Sequence, residues 1–164
     1  MNLIVAVDKN WGIGKDNNLL VHLKGDMKFF REKTLGKVVV MGRSTLESFP
    51  NGEPLKDRIN IVITHRDDFT KDGVTVVHNM DELAEEINKY NPDDVMVIGG
   101  ASVYNELMTS CDRLFVTKID KEFDADTFIK NADELLQFKV YKKSEIQEEN
   151  GIKYQFVEYV RKAI

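Results

Sequence analysis

Residues 95–107 read VMVIGGASVYNEL, which is an apolar run, a glycine pair and a helix-like stretch in immediate succession. An unbroken apolar run of this length predicts a strand that is buried on both faces. A buried strand followed directly by a helix is the repeating unit of an α/β fold. Backbone N–H groups at the start of such a helix can bind a phosphate, although the same arrangement also occurs as a simple strand-to-helix turn.

The arrangement recurs at residues 38–49, VVVMGRSTLESF, where the turn adds three side-chain donors, Arg43, Ser44 and Thr45. Open α/β sheets bind ligands at the carboxyl ends of their strands, so two such turns favour an extended phosphorylated ligand. A third strand-like run ends in Thr64, His65 and Arg66, which can meet a further phosphate. Together these segments predict a dinucleotide that carries an additional phosphate monoester.

Strand-like and helix-like segments alternate along most of the chain. The strand-like runs are LIVAV at 3–7, KVVVMG at 37–42, INIVIT at 59–64, VTVV at 74–77, VMVIGG at 95–100 and LFVTKI at 114–119. The helix-like stretches are GDMKFFREKTLG at 25–36, RSTLESF at 43–49, NMDELAEEINKY at 79–90 and ASVYNELMTS at 101–110. This order predicts an α/β fold with a mostly parallel central sheet and helices on both faces.

The end of the chain follows another pattern. FKVYKKSEI at 138–146 and IKYQFVEYV at 152–160 read as two long strands joined through EENG. Asn150 and Gly151 favour a tight turn, so we expect a C-terminal antiparallel β-hairpin. With 164 residues, 42% apolar content and no linker, we expect one domain over residues 1–164.

Composition narrows the function classes. The net charge is -5 and the basic residues are scattered, which argues against a nucleic-acid partner. Cys111 is the only cysteine, which excludes an intrachain disulfide, fits a reducing compartment and indicates an unreactive thiol. The apolar runs have strand length and MNLIVAVDKN has no basic flank before an apolar core, so we expect an untargeted cytoplasmic protein without a membrane partner.

The stretch WGIGKDNNLL at 11–20 contains a G-x-G pair, Gly12 and Gly14. A dinucleotide fingerprint needs G-x-G-x-x-G with a helix beginning at once, whereas this stretch continues with polar, turn-forming residues. We therefore interpret it as a mobile lid over a site.

Asp26 stands where an aromatic helix begins. A carboxylate in a first helical turn often does no more than complement the helix dipole. Phe29 and Phe30 follow at helical spacing, so we expect both to share a face with Asp26 and to desolvate its carboxylate partly. An acid beside an apolar slot suits a cationic planar heterocycle.

The three histidines have no metal-ligand spacing, and we expect no metal site.

These segments together resemble bacterial dihydrofolate reductase over nearly the whole chain. The matching pieces are IGKDNNL at 13–19, LKGDMKFF at 23–30, VMGRST at 40–45, PLKDR at 54–58, IGGASVY at 98–104, LFVTKI at 114–119 and DADTF at 124–128. The resemblance implies NADPH-dependent reduction of 7,8-dihydrofolate to tetrahydrofolate, antifolate inhibitors as further ligands, and a monomer.

The resemblance also implies residue roles. Asp26 would be the catalytic acid that binds the pteridine and supports protonation of N5, and Arg58 would pair with the α-carboxylate of the glutamate tail. The other substrate-binding residues would be Ile4, Val5, Ala6, Phe30, Leu55, Ile98, Tyr104 and Thr117. The cofactor-binding residues would be Ala6, Ile13, Gly14, Leu19, Gly42, Arg43, Ser44, Thr45, Thr64, His65, Arg66, Gly99, Gly100, Ala101, Ser102 and Val103. The glycine pair matches one that a cis peptide joins in this family, and Asp126 lies in a second loop that would brace the lid.

The chain departs from the family pattern where Leu20 and Val21 replace the usual Pro-Trp, and we expect a roomier pocket there. It also has PLKDR for the usual PLPGR, and FPNGEP at 49–54 is slightly longer.

Two other functions stay open. One is a pyrimidine reductase of riboflavin synthesis on the same fold, against which Asp26, Phe30 and Arg58 argue. The other is a non-catalytic nucleotide-binding module, which would need neither acid nor lid.

Overall fold

A computed structural model describes residues 1–162, so the last two residues of the expected domain lie outside the described residues. The strands within that range are β1 (Asn2–Val7), β2 (Gly12–Lys15), β3 (Asn18–Leu19), β4 (Val38–Gly42), β5 (Ile59–Ile63), β6 (Val74–Val77), β7 (Val95–Gly99), β8 (Arg113–Ile119), β9 (Thr127–Phe128), β10 (Phe138–Lys143), β11 (Gln147–Glu149) and β12 (Ile152–Arg161). The α-helices are α1 (Lys24–Thr34), α2 (Arg43–Ser48), α3 (Met80–Ile87) and α4 (Ala101–Leu107). Short 3₁₀ turns occupy Pro50–Gly52, Pro92–Asp94, Met108–Ser110 and Ala132–Glu134.

The main sheet runs in the order β10-β12-β8-β1-β7-β4-β5-β6, with β11 paired to β12. Every neighbouring pair from β8 to β6 is parallel, and β12 is antiparallel to β8, β10 and β11. The predicted fold class is thereby confirmed. The six strands predicted for the parallel part all occur, each with ends within one residue of the expectation.

Helices cover both faces of the sheet, as predicted. On one face, Val38 and Val40 of β4 pack in a core with Leu83 of α3 and Leu107 of α4. On the other face, the alternate β4 residues Val39 and Met41 pack with Leu46 of α2 and with the aromatic residues of α1. Because side chains alternate along a strand, one apolar run serves both cores.

Local signals in the sequence explain the helix ends. Asn79 caps α3, since its side chain accepts a hydrogen bond from the Glu82 backbone N–H at 2.8 Å. The Glu82 carboxylate in turn accepts from the His78 N–H and from the Asn79 side chain. Gly36 follows α1 with a φ of 75°, a left-handed conformation that glycine adopts readily where a helix stops.

The C-terminal hairpin forms at the expected turn, but its first strand is broken. Asn150 and Gly151 both have positive φ, as a two-residue hairpin turn requires, and Glu149 pairs with Ile152. Between β10 and β11, Ser144 accepts from the Phe156 N–H with its hydroxyl and donates its own N–H to the Phe156 carbonyl. This serine bonding replaces the regular ladder, so residues 144–146 bulge out of the predicted strand.

None of the helices within residues 1–162 combines the length and apolar character needed to cross a bilayer.

Candidate active site

A continuous cleft of about 1570 Å³ lies along the carboxyl ends of β1, β4, β5 and β7. Pockets for one small molecule are typically about 300–1,000 Å³, so this cleft has room for two ligands side by side. Its wall includes the strand ends together with the first residues of α2 and α4. The cleft therefore lies at the edge of the sheet where the sequence predicts ligand binding.

All but one of the predicted site residues line this cleft. From the substrate set these are Ile4, Val5, Ala6, Asp26, Phe30, Leu55, Arg58, Ile98 and Tyr104. From the cofactor set they are Ile13, Gly14, Leu19, Gly42, Arg43, Ser44, Thr45, Thr64, His65, Arg66, Gly99, Gly100, Ala101, Ser102 and Val103. The exception is Thr117, which is buried on β8 behind Asp26.

Asp26 lies in the first turn of α1 and faces the cleft. The Thr117 hydroxyl donates to Asp26 Oδ1 at 2.6 Å. Burial raises the pKa of the Asp26 carboxyl above its ordinary value, and the hydrogen bond from Thr117 opposes that rise. Such a carboxyl keeps a proton at a higher pH than an exposed aspartate does, which suits a general acid.

The two aromatic residues after Asp26 do not share one environment, contrary to the prediction. Phe30 lines the cleft with Asp26, whereas Phe29 points to the C-terminal strands and stacks on Phe156 with ring centroids 4.2 Å apart. Helical spacing placed both near Asp26, but Phe29 is held against Phe156 of β12, so only Phe30 reaches the slot.

Tyr104 connects the two sides of the site. Its hydroxyl donates to the Ile4 carbonyl at 2.7 Å, which fixes the start of α4 against β1. Burial is the main cause that raises the pKa of Tyr104, and the nearby negative charge of Asp26 adds to it. The tyrosine therefore stays neutral at physiological pH and acts as a fixed donor.

Arg58 is held by the protein at the far end of the slot. Its Nε donates to the Thr34 hydroxyl at 3.2 Å and one terminal nitrogen donates to the Lys56 carbonyl at 2.7 Å. Burial, and then the positive charge of Arg31, lower the pKa of its guanidinium. Two of its five N–H groups are engaged in this way, which orients the guanidinium at the cleft wall and leaves the others for a ligand.

The two strand-to-helix turns approach each other closely. A Cβ added to Gly99 or Gly100 would lie 3.2 or 3.3 Å from the Thr45 hydroxyl, and one added to Gly42 would lie 3.3 Å from Val103. The Gly99–Gly100 peptide is cis, as the family resemblance implies. Backbone and hydroxyl donors from both turns thus face one stretch of the cleft.

Arg43 has a partner that the sequence interpretation did not anticipate. Its guanidinium forms an ion pair with Glu47, one turn further along α2. The i, i+4 spacing of Arg43 and Glu47 was visible in the sequence and could have predicted this pair.

The far end of the cofactor side is formed by β5 and the start of α3. Thr64 is buried and its hydroxyl accepts from the Arg66 N–H at 3.2 Å, while His65 and Arg66 are exposed. Asn79 and Met80 also line this end, and sequence reasoning treated them only as a helix start.

The predicted lid is a small sheet rather than a plain loop. Strand β2 pairs with β3 and with β9, in the order β3-β2-β9, and no helix follows the glycines. The Asp126 carboxylate accepts from the Asp16 N–H at 3.0 Å, and the Asp126 N–H donates to the Gly14 carbonyl at 3.0 Å. The second loop therefore contacts this segment as expected, and the mobility of the segment stays a prediction.

Val21 does not line the cleft, and the roomier pocket expected near the lid stays a prediction. It packs against the apolar cluster of Leu23, Ile119 and Tyr154 behind the cleft, and its neighbour His22 faces the cleft instead. The alternation along an extended segment turns adjacent side chains in opposite directions, and the sequence alone left open which of the two faces inward.

Sequence reasoning missed further residues of the wall: Asn17, Asn18, His22, Met27, Lys28, Arg31, Ser48, Phe49, Pro50, Ile63, Asn79, Met80, Glu106 and Thr127. One signal was available for two of them, because Met27 and Arg31 are four residues apart and adjoin Asp26 and Phe30 on α1. Lys28 and Glu106 lie within α1 and α4, and Asn18, Ile63 and Thr127 lie on short strands or strand ends. The rest lie on loops or at helix ends, where no periodicity indicates orientation.

The comparisons with known proteins agree with this geometry. A family model described as dihydrofolate reductase matches residues 1–161. The dihydrofolate reductase of Bacillus subtilis is 37% identical over 163 residues, which cover 99% of this chain and 95% of that one. The enzyme of Haemophilus influenzae is also 37% identical, covering 98% of both chains. The solved structure of dihydrofolate reductase from Enterococcus faecalis, complexed with NADP(H) and RAB-propyl, has a TM-score of 0.88 at 33% identity and covers 99% of this chain and 96% of that one.

The fold and the cleft define an α/β protein of the ligand-binding class, with one cleft at the carboxyl edge of the sheet that has room for a dinucleotide and a second ligand. Within that class, the chain belongs to the dihydrofolate reductase family. Its reaction is the reduction of dihydrofolate, the first of the three functions that the sequence left open.

Proposed function

We propose that this chain reduces 7,8-dihydrofolate with NADPH and that Asp26 is the acid of the reaction. The observation that carries the assignment is the Asp26–Thr117 pair, a partly desolvated carboxylate on the wall of a cleft large enough for substrate and cofactor together. The carboxylate would bind the amidine-like edge of the pteridine and support protonation of N5. Thr117 orients it by donating to one oxygen and leaves the other oxygen for the substrate.

Substrate binding would use the apolar wall and one fixed cation. Phe30, Leu55 and Ile98 line the slot next to Asp26 and exclude water from the ring. Arg58 would form a bidentate pair with the α-carboxylate of the glutamate tail, a geometry that a lysine cannot provide. Dihydrofolate and antifolate inhibitors are accordingly the small-molecule partners.

The residues on the cofactor side fit NADPH. Positions 42, 99 and 100 are glycines, and a Cβ at any of them would contact Thr45 or Val103. Because these Cβ atoms are absent, a diphosphate would have space against the two turns. The exposed side chains of His65 and Arg66 lie beside the buried Thr64 at the end where an adenosine 2′-phosphate would bind. When bound, NADPH supplies the hydride that reaches C6 of the pterin. Ile13, Gly14 and Leu19 of the lid would cover the nicotinamide and exclude water.

A single absorbance assay tests the proposal. NADPH oxidation should depend on added dihydrofolate, and NADH should be a poorer cofactor. Oxidation at the same rate without dihydrofolate would contradict it. A variant with the exposed, distant Asp72→Asn change is the matched control for later aspartate variants, because Asp72 does not line the cleft.

Four further expectations stay predictions: a monomer, a single domain over residues 1–164, a cytoplasmic location, and no nucleic-acid partner. The exposed large apolar side chains in the described range include Leu136, Tyr141 and Ile146. Analytical ultracentrifugation tests the monomer directly, and a stable dimer at micromolar concentration would contradict it.

A further inference from the structure

The start of α1, the helix that carries Asp26, is not capped by its own sequence. The N-cap residue is Leu23, which has no side-chain acceptor. The first N–H groups of a helix have no partner within the helix and need one from elsewhere. Glu149 of β11 supplies it, since its Oε2 accepts from the Lys24 N–H at 2.7 Å and its Oε1 accepts from the Gly25 N–H at 3.1 Å. One carboxylate from the C-terminal hairpin thus satisfies two N–H groups of the catalytic helix.

Tyr154 of β12 provides a second, independent contact at the same helical turn. A Cβ added to Gly25 would lie 2.1 Å from the Tyr154 hydroxyl, so the ring lies directly against the Gly25 backbone. Tyr154 is itself buried and stacks edge-on against Phe156, whose ring also stacks on Phe29 of α1. Gly25 therefore allows the hairpin to approach the helix closely, and the approach brings Glu149 within hydrogen-bond distance.

We infer that Glu149 is a positioning residue for Asp26: its carboxylate fixes the first turn of α1, so that Asp26 meets Thr117 and faces the cleft. The inference rests on the proposed role of Asp26. A negative charge at a helix N-terminus is also favourable to the helix dipole. The groups that face Asp26 and its turn are Thr117, Tyr104, Tyr154 and Glu149.

The main test compares Glu149→Ala with Glu148→Ala, a neighbouring exposed glutamate on the same short strand. We expect Glu149→Ala to lower kcat/KM for dihydrofolate about tenfold, less than the ~10²-fold loss that a 1 Å misplacement can cause. A loosened first turn hydrates the carboxylate, so the apparent pKa in the kcat/KM profile should fall. Glu148→Ala should change neither quantity, and KM for NADPH should be unchanged in both variants.

Two further variants distinguish a positioning role of Glu149 from a role in stability alone. Glu149→Gln keeps one acceptor oxygen and should recover part of the lost rate. Lys24→Pro removes one of the two donors at the first helical position, where proline is tolerated, and the extended Leu23 suits a following proline. In the Lys24→Pro background, Glu149→Ala should cost less kcat/KM than in the wild type.

Two results would overturn the inference. One is a Glu149→Ala enzyme with a lower melting temperature but an unchanged rate and pH profile. The other is an equal loss for Glu149→Ala in the wild-type and Lys24→Pro backgrounds. Asp26→Asn distinguishes these failures from a failure of the proposed function: if that variant loses activity while Glu149→Ala does not, only the positioning role is wrong.

Discussion

Asp26 combines two properties that have opposite effects on the stability of its charged carboxylate. Its carboxylate lies at the start of a helix, where a negative charge is favourable, and against apolar residues, where it is not. Burial raises the pKa of the Asp26 carboxyl, and it outweighs the opposing hydrogen bond from Thr117. An asparagine in its place would keep the shape of the side chain and the hydrogen bond from Thr117, but would have no proton to supply.

We therefore expect Asp26→Asn to lower kcat at neutral pH by about 10²- to 10⁴-fold, the usual contribution of a general acid. The loss should shrink as pH falls, because the substrate then arrives already protonated. Rate against pH is the measurement, with Asp72→Asn as control. A near wild-type rate at neutral pH would remove Asp26 from the mechanism.

The same variant should be at least as stable as the wild type at neutral pH. A folded-state pKa above the unfolded value means that the wild type loses stability as pH rises through the folded pKa of Asp26. Asparagine does not titrate, so its advantage should be present at neutral pH and disappear below the unfolded pKa. Urea denaturation at several pH values measures it, and an Asp26→Asn protein that is less stable at pH 7 would contradict the argument.

The preference for NADPH over NADH should depend on which arginine can bind the 2′-phosphate. Arg43 is paired with Glu47, whereas the Arg66 side chain is exposed at the end of the cleft where we propose that the adenosine 2′-phosphate binds. We expect Arg66→Ala to raise KM for NADPH about tenfold or more, since charge-assisted hydrogen bonds contribute roughly 1.5–3 kcal/mol each. KM for NADH should change little. Arg43→Ala should have a smaller effect on KM for NADPH, and a larger effect than that of Arg66→Ala would reverse this order.

At the scale of elements, the lid is attached through Asp8. Its buried carboxylate accepts N–H groups from Asn10, Gly12 and Phe123, and so connects the loop before β2 to the loop before β9. A Cβ at Gly12 would lie 2.5 Å from the Ala125 Cβ, which is attached to the backbone and cannot rotate away. The two loops therefore pack together only if position 12 is glycine.

Gly12→Ala should separate these loops and destabilise the protein by about 1–3 kcal/mol, the usual cost of overpacking. Hydride transfer should slow as well, because the lid would cover the nicotinamide less closely. The second change Ala125→Gly removes the clashing atom and should restore both properties in the double variant. Failure of Ala125→Gly to rescue Gly12→Ala would show that this contact does not determine the position of the lid.

At the scale of the whole molecule, the cleft draws its wall from segments between Ile4 and Thr127. A ligand that fills it contacts the folded state alone, so binding must raise the apparent stability. The sheet connects those segments, and the whole chain should respond as one cooperative unit.

A ligand at 100 times its Kd should raise the free energy of unfolding by about 2.7 kcal/mol. For a domain of this size that corresponds to a rise in Tm of roughly 5–10 °C. Arg58→Ala should reduce the Tm response to dihydrofolate while leaving the response to NADPH intact. Thermal scans with each ligand decide this, and an equal loss of both responses would mean that Arg58 acts on the fold rather than on the substrate.

The order of strands and helices could be read from the sequence because it depends on local patterns. A continuous apolar run such as residues 95–98, followed by glycines, favours a buried strand that ends in a turn. The same locality explains the capping of α3 by Asn79 and the turn at Asn150. Motif order was enough to indicate the family, which the comparisons confirm.

The tertiary structure determined which residues each face of a helix or extended segment packs against. Helical spacing placed Phe29 beside Asp26, but packing turned it onto Phe156, and the extended segment put His22 rather than Val21 toward the cleft. Glu149 reaches the start of α1 from a strand more than a hundred residues away, and no local pattern indicates that contact. Periodicity specifies which side chains lie on a common face, whereas the partner of that face depends on long-range packing, and the environment of Asp26 depends on that packing.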